Sequence, residues 1–275
     1  RVTMLELRHI SKTFYPGTVH EKTALQDLSL TLQTGDFVTI LGSNGAGKST
    51  LFNAIAGVFY VDAGTITLDG RDITFLPSYK RSRRIGHLFQ DPLKGAAPHM
   101  TIEENLAVAY LRSSDRHVLF GRVSRRDRDF FRDALAQLDM GLEDRMNTPV
   151  GLLSGGQRQA LTLLMATMVT PELLLLDEHT AALDPVTADK VLALTRSVVS
   201  ERSISCLMIT HNMHQALELG TRTLMMDAGR IVLDVSGPER AGMTVQGLLD
   251  AFAAKAGEAF DNDRVLLSTA EDKEN

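Results

Sequence analysis

The run Gly42-Ser43-Asn44-Gly45-Ala46-Gly47-Lys48-Ser49 is the most informative part of this 275-residue sequence. It fits the pattern G-x-x-x-x-G-K-[ST]. The apolar run Phe37 to Leu41 precedes it and predicts a buried strand, and Ser49 to Ala56 predicts a helix that Gly57 closes. Glycines let backbone N–H groups turn towards phosphate oxygens, and a helix N-terminus adds positive potential. The order of strand, loop and helix therefore predicts a phosphate-binding loop.

Two side chains of this loop have specific expected tasks. Lys48 is expected to reach the β- and γ-phosphates, and the hydroxyl of Ser49 to complete the coordination shell of Mg²⁺. The other residues expected to line the nucleotide are Gly42, Ser43, Asn44, Gly45, Ala46, Gly47 and Thr50. The alternative is a glycine-rich turn that only happens to precede a helix, and the spacing argues against it.

Two carboxylates follow a second buried strand. Leu173 to Leu176 are all leucine, and Asp177 and Glu178 come next. Ligands of parallel sheets bind beyond the carboxyl ends of the strands, so Asp177 is expected beside the Mg²⁺ that Ser49 holds. Successive strand residues point to opposite faces. Glu178 is therefore a separate candidate, as the general base for an attacking water. Two solvated acids at a strand end are the alternative.

Strand and helix patterns place these motifs in an α/β fold. The first 40 residues predict strands, residues 91–153 predict an inserted helical segment, and strands and helices then alternate. Further strands are predicted at Ala63 to Asp69, Ile85 to Phe89 and Ile204 to Ile209, and helices from Thr101, at Asp127 to Leu138, Gln157 to Val169, Pro185 to Val199 and Val245 to Ala254. We expect a P-loop NTPase (RecA-like) parallel-sheet core with an N-terminal antiparallel β region and an inserted α-helical subdomain.

Composition limits the function classes. The chain is 44% hydrophobic and 23% charged, with a net charge of -5, so a packed core is expected and general nucleic-acid binding is not. Its single cysteine, Cys206, fits a reducing compartment and lies in an apolar, inert setting. Neither a membrane-spanning run nor a signal peptide is apparent. We expect a soluble, cytoplasmic chain whose membrane role comes through partners.

A second glycine-rich turn, Leu153-Ser154-Gly155-Gly156-Gln157, opens a predicted helix. Ser154 suits the N-cap, and a helix start can bind an anion, although a plain cap is the simpler interpretation. This turn matches the LSGGQ signature. Together with the phosphate-binding loop at Gly42 to Ser49, it makes the sequence resemble the ATP-binding subunits of ABC transporters. The resemblance runs from about Leu5 to Gly237. It implies that Ser154, Gly155, Gly156 and Gln157 of one copy close on the γ-phosphate held by a second copy, in a head-to-tail dimer around two ATP and Mg²⁺.

The resemblance assigns four further residues in family order. Gln90 matches the Q-loop glutamine that touches Mg²⁺ and the attacking water, and Asp184 matches the D-loop aspartate that links the two sites. His211 matches the switch histidine that contacts the γ-phosphate. Phe14 fits the aromatic position that stacks on adenine, with Tyr15 as its alternative.

One residue departs from the family pattern. His179 follows Glu178 where many members have proline, and a packing or hydrogen-bonding role is expected for it rather than a chemical one. The resemblance also implies the domain limits: an ABC ATP-binding domain over residues 3–237, with a core of 3–90 and 155–237 and a helical subdomain of 91–154. Residues 238–275 are expected to form a helix and a loose acidic tail.

The implied function is that of an ATPase, with ATP and Mg²⁺ bound, that drives a separate transmembrane permease from the cytoplasmic face of the membrane. Solute import is expected, with an amino-acid-like or aromatic amino-acid substrate and a substrate-binding protein in the same system. Export, lipoprotein extraction, a soluble ABC ATPase acting in translation or repair, and a non-hydrolysing switch are the alternatives.

Two surface features leave more than one interpretation open. The helical segment with the Q-loop would receive a cytoplasmic helix of the permease, and Met100, Ile102 and Leu106 are either docking residues or buried ones. The basic run formed by Arg81, Arg83 and Arg84 is interpreted as a solvated face, with a partner or phosphate contact as the alternative.

Overall fold

The computed structural model describes residues 3–113 and 123–255. An antiparallel sheet holds the N-terminal strands in the order β2-β1-β4-β5. Its strands are β1 (Thr3–Phe14), β2 (Lys22–Gln33), β4 (Ala63–Leu68) and β5 (Arg71–Asp72). The predicted N-terminal antiparallel region is therefore confirmed.

A second sheet carries the strands that lead into the motifs. Its order is β10-β9-β3-β8-β7-β6, and every pair is parallel except β9 with β10. The strands are β3 (Phe37–Gly42), β6 (Ile85–Leu88), β7 (Leu173–Asp177), β8 (Ser205–Ile209), β9 (Arg222–Asp227) and β10 (Arg230–Ser236). Because β3, β7 and β8 run the same way, Gly42, Asp177 and the residues after Ile209 lie at one edge of the sheet.

Helices cover this sheet and form the inserted segment. They are α1 (Lys48–Ala56), α2 (Ser78–Arg81), α3 (Ile102–Ser113), α4 (Arg125–Ala136), α5 (Gly155–Thr167), α6 (Pro185–Glu201), α7 (Met213–Leu219), α8 (Gly237–Ala241) and residues 245–255 as α9. The capping box predicted at Thr101 is confirmed: Thr101 N donates to Glu104 Oε2 at 2.7 Å, and Glu104 N donates to Thr101 Oγ1 at 3.2 Å. The predicted tail beyond residue 255 lies outside the described residues.

The buried hydrophobic residues form separate clusters, one of which lies among the inserted helices. Leu173 to Leu176 are fully buried, as the all-leucine run predicts. A separate cluster holds the inserted helices together, and Ile102 and Leu106 are both fully buried within it. Burying such a side chain contributes about 1.5–3 kcal/mol. The buried interpretation of these two residues is thus correct, and the docking interpretation is wrong for them.

Two more predictions are settled by burial. Arg81 is only 1% exposed, so a solvated face is wrong for this residue. Cys206 is fully buried, and burial raises the pKa of its thiol, which fits the inert role expected of it. Across residues 3–113 and 123–255, no helix has the length and apolar character that crossing a membrane requires.

Candidate active site

The loop between β3 and α1 owes its shape to two glycines. Gly42 has φ 145°, and a Cβ there would lie 2.3 Å from the carbonyl oxygen of Met226. Gly47 has φ 98°, and its Cβ would lie 2.5 Å from the carbonyl oxygen of Ala24. Both positions combine a left-handed backbone with a close neighbour, so only glycine fits. The loop is thereby pressed against β2 and β9, and α1 begins at Lys48.

The ammonium group of Lys48 is held over the loop. Its Nζ donates to the carbonyl oxygens of Gly42 at 2.7 Å and Ser43 at 3.0 Å, and the residue is 7% exposed. Burial lowers the pKa of Lys48, and the carboxylates of Glu178 and Asp177 partly offset this effect. The Lys48 ammonium group is therefore a charged donor that lies beside the expected position of a phosphate.

Asp177 faces the same loop from the end of β7. Burial, and then the nearby charge of Glu178, raise the pKa of Asp177, whereas Lys48, Lys94 and a hydrogen bond from Ser49 oppose the rise. The Asp177 carboxylate and the Ser49 hydroxyl are hard oxygen donors in contact, a set that suits Mg²⁺. The carboxylates of Asp177 and Glu178 repel each other, and a bound cation would offset this repulsion. Ser49 and Asp177 therefore fit Mg²⁺.

These groups line one cleft. It has a volume of about 390 Å³ and is lined by Lys22, Ala24, Asn44, Gly45, Gly47, Lys48, Ser49, Thr50, Gln90, Asp177 and Glu178. The exposed Gln90 also borders an adjoining cavity of about 690 Å³, which Ser49, Asp177 and Gly155 line as well. The sequence did not point to Lys22 or to the charge of Lys94 near Asp177, because strand pairing and chain folding bring them there.

Glu178 lies just beyond the strand end on a left-handed backbone, with φ 45°. Its N–H donates to the carbonyl oxygen of Ile209 at 3.0 Å, which anchors the turn to β8. Its Oε2 lies 3.8 Å from Nδ1 of His211, which is too long for a direct hydrogen bond. The structure thus brings Lys48, Asp177, Glu178 and His211 to one edge of the sheet.

His179, which follows Glu178, is in contact with helix α6. It is 3% exposed, and its Nε2 lies 3.2 Å from Oγ1 of Thr195. The Thr195 hydroxyl itself donates to the carbonyl oxygen of Val191 at 2.8 Å, so the ring nitrogen is the donor to Thr195. Burial lowers the pKa of His179 to about 4. The expected packing and hydrogen-bonding role is confirmed.

The second glycine turn forms a capping box. Ser154 Oγ accepts from Gln157 N, and Gln157 Oε1 accepts from Ser154 N, both at 3.2 Å. The helix begins at Gly155, two residues earlier than predicted, because the box encloses both glycines. Gly156 is buried, and a Cβ there would lie 2.1 Å from Cγ2 of Thr187. The turn therefore packs tightly on the start of α6.

Asp184 holds that start of α6 in place. Its Oδ1 accepts from Thr187 N at 3.1 Å, and hydrogen bonds from the Thr187 side chain and backbone lower the pKa of Asp184. Asp184 and the four signature residues are not among those that line the 390 Å³ cleft. Gly155 instead borders the adjoining cavity of about 690 Å³, which Ser49 and Asp177 also line.

The aromatic candidates lie at the tip of the β1–β2 hairpin. Phe14 pairs in register with Lys22, which lines the cleft, so Phe14 lies near the mouth of the cleft. Its ring packs edge-on against Phe59, with centroids 5.2 Å apart. Tyr15 is 70% exposed, with φ 53°. Both rings thus remain candidates for the adenine.

This arrangement defines a class. A glycine loop between a parallel strand and a helix, a buried lysine, and carboxylates at the next strand end together form a P-loop nucleotide hydrolase. The model of the ABC transporter family matches residues 25–181.

Full-length comparisons agree. The chain is 41% identical over 249 residues to the tyrosine transport ATP-binding protein of Clostridioides difficile (strain R20291), covering 90% of this chain and 98% of that protein. It is 36% identical to the methionine import ATP-binding protein MetN of Corynebacterium efficiens, covering 84% of this chain and 62% of MetN. A dimeric structure of the ATP-binding cassette MJ0796, in a post-hydrolysis state bound to ADP and Pi, superposes with a TM-score of 0.74 at 25% identity, covering 85% of this chain and 98% of that cassette.

The chain therefore belongs to the ABC transporter family, as one of its ATP-binding, ATP-hydrolysing cassettes. The sequence-based assignment to this family is confirmed.

Proposed function

We propose that this chain energises a transmembrane permease by binding and hydrolysing MgATP in a head-to-tail dimer. One observation carries the proposal: the buried Lys48 and the Ser49–Asp177 contact share a cleft, whereas Ser154, Gly155, Gly156 and Gln157 are not among its lining residues. A second copy would supply its Ser154, Gly155, Gly156 and Gln157 to the γ-phosphate. Asp184, which caps α6 beside that turn, would connect the two sites.

The residues of the cleft have distinct proposed roles. Ser49, Asp177 and Gln90 would hold Mg²⁺, which supplies positive charge against the phosphates when it is bound. Lys48 and the backbone of Gly42, Ser43, Asn44, Gly45, Ala46, Gly47 and Thr50 would bind the β- and γ-phosphates. Phe14, or Tyr15 in its place, would stack on the adenine.

Hydrolysis would proceed by in-line attack of water. Glu178 would accept the proton as the water oxygen bonds to the γ-phosphorus, and the bond to the bridging oxygen would break to release ADP. His211, 3.8 Å from Glu178, would contact the γ-phosphate. Lys48 and the partner copy's glycine turn would stabilise the charge that develops.

A groove between the core and the inserted helices is the proposed permease contact. It has a volume of about 360 Å³, and its lining includes Val58, Tyr79, Phe89, Arg112 and Thr162. We propose that a cytoplasmic helix of the permease docks there, next to Gln90. The proposed division is a core of 3–90 and 155–237 and a helical subdomain of 91–154, within a domain of 3–237 followed by residues 238–275.

The transport proposal is solute import, which this chain would drive from its place at the cytoplasmic face of the membrane. A substrate-binding protein would belong to the same system. Support comes from relatives named for tyrosine transport and methionine import, and an amino-acid-like substrate is proposed on that ground. The net charge of -5 supports the absence of a nucleic-acid partner.

Affinity capture of the tagged chain from detergent-solubilised membranes of its source tests this proposal. A multi-span permease should be recovered, and an accompanying binding protein would supply a ligand to assay. A lipoprotein-extraction or export partner would overturn import, and ribosomal or repair proteins without a permease would overturn transport altogether.

A further inference from the structure

Arg81 is a buried cation whose partners are main-chain carbonyls. It is 1% exposed, and its guanidinium donates to the oxygens of Ala54 at 2.8 Å, Ile55 at 2.9 Å, Thr74 at 2.9 Å and Leu76 at 2.7 Å. Charge-assisted hydrogen bonds are stronger than neutral ones, and the planar fork fixes their geometry. Arg81 therefore connects α2 to two segments, the end of α1 and residues 74–76.

One of these segments is the end of the phosphate-binding helix. Ala54 and Ile55 belong to the last turn of α1, whose first residue is Lys48. The positive charge lies at the negative end of the helix dipole. Arg81 packs closely against the end of α1, because a Cβ on Gly57, the C-cap of α1, would lie 2.7 Å from Nε of Arg81. A displacement of Arg81 would therefore displace α1.

The turn that carries Arg81 also faces the groove. In α2, Tyr79 is 67% exposed and lines the groove, as do Ser78 and Ser82. Val58, which follows the C-cap of α1, is 61% exposed and lines it too. One turn thus presents Tyr79 to the groove and Arg81 to the helix that begins at Lys48.

We propose that Arg81 is a positioning residue that links occupancy of the groove to nucleotide binding through α1. A partner segment seated against Tyr79 and Val58 fixes α2, and the carbonyl contacts of Arg81 pass that position to the helix that starts the phosphate site. The proposal rests on the proposed function of the groove. Because such coupling is reciprocal, nucleotide binding must also alter the groove in the chain without its partner.

The first test needs no mutation. Amide hydrogen exchange of the full chain is compared with and without MgADP, whose binding is measured in parallel by calorimetry. Amides of Gly57, Val58, Arg81 and Ser82 are hydrogen-bonded, so their exchange reports opening of this unit. Slower exchange at these amides is expected. Unchanged exchange with MgADP bound would overturn the link and leave the nucleotide site intact, whereas a failure to bind MgADP would overturn the proposed function instead.

The second test assigns the link to Arg81. The chain contains no tryptophan, so Tyr79→Trp introduces a single indole at the groove. Its emission should change on titration with MgADP. Adding Arg81→Met should abolish that change and weaken MgADP binding by about tenfold, within the range of linked sites. Arg83→Met, at an exposed position two residues away, is the matched control and should preserve both.

Circular dichroism establishes that each variant is folded before it is compared. An emission change that persists in folded Arg81→Met would refute the role of Arg81. If that variant does not fold, Arg81→Lys, which keeps the charge but loses the planar fork, takes its place in the same titration, and an unchanged emission response would refute the role of Arg81.

Discussion

Replacing His179 by glutamine should make the protein less sensitive to mild acid. The buried ring donates to Thr195, and burial lowers the pKa of His179 to about 4 from an ordinary value of 6.5. The unfolded chain therefore binds a proton at this residue more readily than the folded chain. Stability is lost as the pH falls from 6.5 towards 4, and the loss ends below that range because both states are then protonated.

The size of the effect follows from the two pKa values. Each unit of separation corresponds to about 1.4 kcal/mol, so the full loss is roughly 3 kcal/mol. Between pH 7 and pH 5 the linkage relation gives roughly 2 kcal/mol of this amount. Glutamine does not titrate and can keep a hydrogen bond to the Thr195 hydroxyl. The variant should therefore lose about 2 kcal/mol less free energy of unfolding than the native chain over that interval.

Urea unfolding at pH 7 and pH 5, for both proteins, measures this difference. His87, which is half-buried, also has a pKa lowered to about 4 by burial, but it is present in both proteins and its contribution cancels. His214→Gln, at an exposed position, is the control. An equal loss of stability in the native chain and in His179→Gln would refute the assignment of a buried, neutral imidazole.

Three further outcomes test the site. Lys48→Ala should abolish nucleotide binding or turnover by calorimetry and phosphate release, and full retained activity would contradict the loop assignment. Gly47→Ala should weaken ATP affinity and lower the melting temperature, because its Cβ would lie 2.5 Å from the Ala24 carbonyl oxygen; unchanged values would contradict the required φ. Gly156→Ala should cost about 1–3 kcal/mol by overpacking, and Thr187→Ser, which removes the clashing methyl, should restore most of it; no rescue would disprove the clash.

The local features of the fold were predictable because short-range chemistry sets them. The order of strand, loop and helix around Lys48 follows from glycine freedom and apolar periodicity. The capping residues Thr101 and Ser154 accept hydrogen bonds from amides three residues on, so they were visible in the sequence. Asp177 directly follows a buried strand, and ligands of parallel sheets bind beyond the carboxyl ends of the strands. Its place at the ligand-binding edge was therefore predictable too.

Long-range contacts were not predictable in this way. Arg81 has the sequence context of a surface arginine, and it is buried because carbonyls 26 and 27 residues earlier accept from it. Ile102 and Leu106 are buried only because another helix packs on them, with Phe131 in the same cluster. Lys22 reaches the phosphate cleft through the register of the β1–β2 hairpin. Each of these placements depends on residues distant in the chain.

The central claim is that Glu178, at the edge of the cleft that holds Lys48 and Asp177, is the base for ATP hydrolysis. Steady-state phosphate release by Glu178→Gln tests it most directly, with Asp129→Asn, a carboxylate on α4 outside the cleft, as the matched control. Turnover should fall by about 10²- to 10⁴-fold in Glu178→Gln while ATP binding persists, and the control should match the native chain. Unchanged turnover in Glu178→Gln would place the base elsewhere.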